Sequence, residues 1–388
     1  MRLYLNKIYK LLMDLEEAWS SFMDGDTSFI ENMMDDNNTQ TTTTDEKTIE
    51  NTEIEFNPGN LKISTQTKIT YLNICNLDMH SLFWEIPIIK YETRENGILK
   101  KQMKTTVFSK EQAQYIETRI KDEYNGYIQN ISCLDNPNSK KQKYKKVDKI
   151  SVGISTKDLL YSKSKKNVKA FFNCFALIFR IFVKNTYKEY HVKLFNTGKV
   201  EIPGITDVSV LYIIMDKLCE IMNSIDLTEH TTMDTIPDVI DYDKKLNTIL
   251  INSNFNCGFH IKRRELSMIL KNKYNIMCSF DSCEYPGIQC KYYYNKEYSD
   301  GCCHCKNTKK CTKKGTGDGN GNCKELSFMI FRTGSILIVG NCDETLIYKI
   351  YDFLINILRN EYKNIGITGD IPLKKRTVPR YLKYVKIK

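Results

Sequence analysis

The sequence predicts an α+β protein in which antiparallel strands are backed by helices, and three observations carry that expectation. Residues 194–221 (LFNTGKVEIPGITDVSVLYIIMDKLCEI) align without a gap to residues 330–357 (IFRTGSILIVGNCDETLIYKIYDFLINI) at a constant offset of 136. In each block the apolar positions recur first at every second residue and then at three and four, the pattern of strands followed by a helix. Each block also holds a glycine, Gly198 or Gly334, where its two strands must reverse, and glycine adopts turn conformations that other residues resist. Two such blocks at a fixed separation imply two duplicated units rather than a solenoid array.

Matched pairs run through both blocks: Phe195 and Phe331, Thr197 and Thr333, Val200 and Ile336, Ile202 and Ile338, Gly204 and Gly340, Asp207 and Asp343. The aspartates stand just ahead of the helical spacing, where a carboxylate can accept from the free N–H groups of a first turn. Alternation assigns Leu194, Val200 and Ile202, with Ile330, Ile336 and Ile338, to the strand face that packs on helices. The opposite face then carries Phe195, Thr197, Lys199, Glu201 and Pro203 in the first copy and Phe331, Thr333, Ser335, Leu337 and Val339 in the second. Because aliphatics already fill the inward face, one large aromatic per copy on the other face reads as functional rather than as core.

Charge separates the chain into two parts. The 388 residues carry 57 Lys+Arg against 47 Asp+Glu, a formal +10. Residues 1–60 hold four basic and thirteen acidic side chains, a charge of −9; 57 less 4 against 47 less 13 leaves +19 on residues 61–388. A basic body points to a polyanionic partner, with the acidic arm as a separate regulatory or solubilising segment. A hydrophobic content of 41% excludes a wholly disordered chain, and no run of about 18 uninterrupted apolar residues suggests a membrane span. Asp14, Glu16 and Glu17 interrupt the first apolar stretch, so a secretory leader is not expected, and the fourteen cysteines default to reduced thiols or metal ligands.

The expected organisation is an acidic arm with a short amphipathic helix over 1–60, a first repeat with insertions over 61–226, and a linker over 227–245. A second repeat follows over 246–365 with a cysteine-rich insertion at 295–324, then a basic tail over 366–388.

The phrases LFNTGKVEIPG and IFRTGSILIVG resemble the duplicated signature of the TATA-box-binding protein (TBP) family, and Glu284-Tyr285-Pro286-Gly287-Ile288 resembles the segment that precedes the family's next strand. With its insertions, its acidic arm and its Asn/Lys/Ile/Tyr-rich composition, the sequence is most similar to the TBP-like proteins of nucleocytoplasmic large DNA viruses. The resemblance implies an α+β, TBP-like saddle of two pseudosymmetric repeats, each a curved antiparallel sheet backed by two helices, with its concave face on the DNA minor groove. In this family phenylalanines wedge into base steps; unstacking a step is offset by the larger surface that bent DNA offers, and TBP is itself the type case.

The resemblance also implies a set of DNA contacts. Phe195 and Phe331 match one wedge in each half, Tyr285 takes the second wedge of copy two, and its partner in copy one is Cys174 if Arg180 is set on the family's strand arginine, or Phe175 after a one-residue slip. Lys199, Arg180 and Lys291 match basic residues that approach phosphate. Asn73 and Asn252 stand as the paired minor-groove readers in a registration that requires deletions, with a loop or turn role as the alternative for either, alongside Thr197, Thr333, Leu337 and Val339 on the groove-facing strands. Glu201 departs from the family's apolar residue and would be repelled by the groove's negative potential unless a lysine or a partner neutralises it.

The insertion gathers Cys302, Cys303, Cys305, Cys311 and Cys323 with His304, ligand types that suit a structural zinc, although a reduced loop and disulfides remain open. The histidines are scattered, and no HExxH, GxSxG or P-loop is present, so no enzyme is expected and no cofactor is required. The implied function is a transcription initiation factor that bends AT-rich double-stranded DNA and offers a platform to a TFIIB-like factor and RNA polymerase. The alternative is a noncatalytic interaction scaffold that kept the fold and lost DNA binding. The implied setting is an intracellular monomer without membrane attachment, in a viral factory or host nucleus, with packaging in the virion as a further option.

Overall fold

A computed structural model describes residues 56–135, 144–160, 173–283, 285–305 and 311–367. The amphipathic helix expected in the arm, most of the basic loop at 136–149 and nearly all of the basic tail lie outside those residues. The chain parts into two compact units at Thr67/Lys68 and again at Asn247/Thr248.

Strand β1 (Lys62–Tyr71) runs across the first boundary. In the unit of residues 68–247 it is followed by α1 (Met79–Glu85), β2 (Gly97–Val107), α2 (Lys110–Asp122), β3 (Tyr127–Asp135), β4 (Tyr144–Gly153) and α3 (Thr156–Leu160). Then come β5 (Cys174–Val183), β6 (Thr186–Phe195), β7 (Lys199–Ile205) and α4 (Val208–Asn223). Its strand order is β1-β7-β6-β5-β2-β4-β3, antiparallel in every pairing whose register is known. The other unit holds β8 (Asn247–Asn256), α5 (Arg263–Asn272), β9 (Met277–Ser279), β10 (Ile288–Tyr294), β11 (Lys324–Ile330), β12 (Ser335–Gly340) and α6 (Glu344–Ile365), in the order β8-β12-β11-β10-β9. Each sheet therefore sets its first strand beside its last and then steps backward. The first unit adds β3 and β4 beyond β2.

Local chemistry explains the elements. Asp207 accepts from the Ser209 N–H at 3.0 Å and Asp343 from the Leu346 N–H at 2.8 Å, so both predicted aspartates cap their helices. Gly198 (φ +75°) and Gly334 (φ +80°) take the left-handed conformation at the two hairpins. A Cβ at Gly198 would lie 2.0 Å from the Ile74 carbonyl and one at Gly334 2.3 Å from the Phe259 carbonyl, so no side chain fits at either place. The helix-facing parity also holds. Leu194, Val200 and Ile202 enter one core with Phe83, Leu211 and Met215, while Ile330, Ile336 and Ile338 enter the other with Leu266, Ile347 and Leu354.

The segment expected as a linker contributes Leu227, Ile240 and Tyr242 to the first of these cores. One charge also lies on that side: Lys101 of β2 donates to the carbonyls of Trp84 and Ile86 at the end of α1 (3.2 and 2.7 Å). Burial lowers its pKa to about 8. Among the described residues no helix is long and apolar enough to cross a membrane.

Candidate functional site

The face of each sheet away from its helices carries most of the residues singled out above. In the second unit Phe331 leaves β11 beside Tyr285, ring centroids 5.9 Å apart, and the Tyr285 hydroxyl meets the Met329 sulfur at 3.4 Å. A Cβ at Gly287 would press on both rings, so the glycine leaves room for the pair. Phe331 is 4% exposed and Leu337 2% exposed. Neither belongs to the helix-side core, so their burial is on the other face. Phe331 is therefore on the expected face but is not presented to solvent as a free wedge in this conformation. Val339 and Thr333 are half-buried on the same hairpin. Lys291 donates to Ser327 Oγ (3.0 Å) and pairs with Glu325 (2.7 Å), so its charge is already matched within the sheet.

The first unit fills the equivalent places differently. Glu201 pairs with Lys193 Nζ at 2.8 Å and Lys199 Nζ at 3.8 Å, and Lys199 also lies over the half-buried Phe195 ring at 4.1 Å. The carboxylate that seemed out of place is thus held between two lysines. Thr197 at the turn is exposed.

Several expected site residues are placed elsewhere. Phe175 is fully buried in the helix-side core against Phe83, centroids 6.1 Å apart, and cannot act as a wedge. Cys174, not Phe175, lies opposite Phe195, because one residue of slip turns a strand side chain to the other face. Burial pushes the Cys174 thiol up to about 11. Since Phe331 packs on Gly287 as Phe195 faces Cys174, counting back two residues sets Phe172 against Tyr285 in sequence; Phe172 lies outside the described residues.

Arg180 has the expected strand parity but is only 2% exposed. Its guanidinium donates to the carbonyls of Tyr91 (2.6 Å) and Thr93 (2.8 Å) and stacks on the Tyr91 ring at 4.5 Å. The inserted α3 closes this area: Asp158 pairs with Lys100 at 2.8 Å, Thr156 Oγ1 bonds Glu189 at 2.5 Å, and Tyr91 Oη bonds Thr156 at 2.8 Å. Arg180 is therefore held by protein rather than offered to a phosphate.

The two asparagines are not counterparts. Leu72 N–H donates to the Gly198 carbonyl and Cys257 N–H to the Gly334 carbonyl, both in the same role, so first-strand equivalents differ by 185 residues. Asn252 then corresponds to Thr67, and Asn73 to Gly258. Asn73 clamps a loop, its Nδ2 donating to the Val239 carbonyl and its Oδ1 accepting from the Asp241 N–H, both at 2.9 Å. Asn252 donates to Thr65 Oγ1 at 3.0 Å. Among the described residues Asn252 Oδ1 and Thr333 Oγ1 are buried without a hydrogen-bond partner, a condition that costs about 1–3 kcal/mol each.

In the cysteine-rich insertion, Cys303, Cys305, Cys311 and Cys323 bring their sulfurs within 4.8 Å of one another, a cluster with the geometry to hold a metal ion. Cys302 is not part of it; its sulfur faces the carbonyls of Tyr274 (3.4 Å) and Asn275 (3.5 Å). His304 also stands apart, bonded to Asp300 at 2.6 Å. Of the five cysteines expected as ligands, four converge and the fifth is turned towards the Tyr274 and Asn275 carbonyls.

These features define a two-unit antiparallel-sheet protein whose distinctive chemistry is spread over sheet faces and one cysteine cluster. A curated relative specifies it further: the chain is 30% identical over 226 residues to the "TATA-box-binding protein-like" protein of Acanthamoeba polyphaga mimivirus. That match spans 57% of this chain and 56% of the relative, little more than half of each. The resemblance read from the repeat is thus matched by similarity to a viral TBP-like protein. No protein-family model matches. The solved structure of Methanococcus jannaschii TBP covers 77% of this chain and 98% of its own at 10% identity and a TM-score of 0.35, a superposition too loose to carry an argument.

Proposed function

We propose that this chain is a noncatalytic transcription initiation factor that binds AT-rich duplex DNA through the minor groove and bends it, its two units acting as halves of the saddle that the resemblance implies. The observation that carries this reading is the Tyr285–Phe331 pair on the face of the second sheet away from its helices, bordered by Met329 and Leu337. An apolar, aromatic sheet face suits the sugar edges and base steps of a minor groove, and the two rings would leave their mutual contact to enter a step. Phe195 would take the corresponding place in the first unit. Groove binding of this kind needs no cofactor, and the partners would be a TFIIB-like factor and RNA polymerase inside an infected cell.

Fluorescence anisotropy with AT-rich and GC-rich duplexes at two salt concentrations tests the proposal. Preference for the AT-rich duplex, and an affinity that falls with salt, are expected. Phe331→Ala should weaken binding about tenfold and reduce bending, read by energy transfer between duplex ends. Equal affinity for both duplexes with no bending would leave a generic basic surface, and no binding would favour the scaffold alternative. The acidic arm, outside the described residues, would compete with DNA for the basic body; deleting residues 1–55 should tighten binding at low salt.

A further inference from the structure

We propose that Cys303, Cys305, Cys311 and Cys323 bind one zinc ion as a closed four-thiolate site that folds the insertion between β10 and β11. The four sulfurs lie within 4.8 Å of one another, with Cys305–Cys323 at 3.3 Å and Cys303–Cys323 at 3.8 Å. Metal–sulfur bonds of about 2.3 Å in a tetrahedron set sulfur–sulfur edges of roughly 3.8 Å, so separations of 3.3 Å and up to 4.8 Å need adjustments of at most about 1 Å. The ligands come from three separate places in the insertion, Cys303 with Cys305, then Cys311, then Cys323 at the entry to β11. Such convergence ties the whole excursion together.

A second observation concerns the donors around the sulfurs. The Gly321 N–H points at Cys305 Sγ (3.0 Å), and Asn295 Nδ2 points at Cys323 Sγ (3.5 Å) while also donating to the Gly319 carbonyl (2.8 Å). Amide donors on sulfur favour thiolate over thiol and hold metal ligands in orientation. The insertion also has little apolar surface to bury. Apart from its cysteines, Tyr298 is the only large apolar residue between Asn295 and Lys324, and the buried cluster here consists of the four cysteines and Tyr293. A segment with so little to bury keeps a fixed fold when a metal supplies the energy. Four thiolates around Zn²⁺ carry a net −2. Lys313 and Lys314 follow Cys311 in sequence and suit that charge. Sulfur-only ligands select zinc over the oxygen-seeking divalent cations.

The full-length chain, produced with zinc and purified under reducing conditions, should contain one zinc per chain by mass spectrometry of metals. Exchange with cobalt should give the intense visible bands of tetrahedral cobalt with thiolate-to-metal charge transfer. Serine at Cys303, Cys305, Cys311 or Cys323 should at least halve the bound zinc, whereas Cys302→Ser and His304→Ala should retain it in full. Should a serine variant fail to fold, titrating the wild-type chain with a mercurial thiol reagent should release the zinc as four thiols are consumed. A chain without metal, iron in place of zinc, a disulfide between any two of the four cysteines, or zinc lost on mutation of Cys302 or His304 would each overturn the proposal.

Discussion

The same position carries an ion pair in one unit and an apolar pair in the other. Lys193 and Glu201 are direct partners across β6 and β7; their counterparts at the 136-residue offset, Met329 and Leu337, are direct partners across β11 and β12. Lys199, which covers Phe195, is matched by Ser335, which leaves Phe331 to Tyr285. The aliphatics on the helix side of these strands are nearly interchangeable between copies. Packing against helices restricts one face of a strand, while the face away from them is free to diverge towards a ligand or away from one.

The sharpest way to break this contrast is to test whether the two faces of one strand differ as described. Phe175→Ala should cost about 3–5 kcal/mol in chemical denaturation, the usual loss for a buried ring, while Phe195→Ala costs less than about 1 kcal/mol. Equal losses would mean that Phe195 is core as well. Exchanging the chemistry of the two units comes next. Leu337→Glu places a carboxylate in an almost fully buried position with no cation directly across from it and should cost about 3 kcal/mol, whereas Glu201→Leu removes a partly exposed pair worth under about 1 kcal/mol.

Charge on the helix side offers a pH test. Lys101 has an unfolded pKa of 10.5 and a folded pKa of about 8. Below pH 8 it is protonated in both states and its burial penalty is in force; as pH rises to 10.5 the folded state releases its proton first, so stability rises relative to a chain without it. The difference in unfolding free energy between wild type and Lys101→Met should therefore move in favour of wild type by about 2–3 kcal/mol between pH 7.5 and pH 10.5. A flat difference would mean that Lys101 is solvated. The smallest effect is on affinity: Glu201→Leu should tighten duplex binding several-fold at low salt and steepen its salt dependence, since Lys193 and Lys199 are released towards phosphate. Unchanged affinity would place the first unit's face outside the interface.

What could be read in the sequence was local. The caps at Asp207 and Asp343, the hairpin glycines and the inward aliphatics each depend on residues a few positions apart. Most of the failures involve pairing at long range. Arg180 was misread because the carbonyls that hold it lie 89 and 87 residues upstream. Phe175 was misread because face depends on register to a single residue. Asn73 and Asn252 could be told apart only once the hydrogen bonds to Gly198 and Gly334 fixed which residues of the first strands correspond. The groups that hold Cys302 and His304 apart from the cluster come from Tyr274, Asn275 and Asp300, which cysteine spacing does not reveal.

Those two hydrogen bonds also bear on how the chain folds. The second unit joins its first strand to its last across the 77 residues from Cys257 to Gly334, and the first unit does so across the 126 from Leu72 to Gly198. Because closure entropy grows only with the logarithm of loop length, the longer excursion costs about 0.4 kcal/mol more, less than a single helix cap contributes. The 49 extra residues are thermodynamically inexpensive. Their effect falls on time, since more distant contacts form later, and the second unit should complete its sheet before the first.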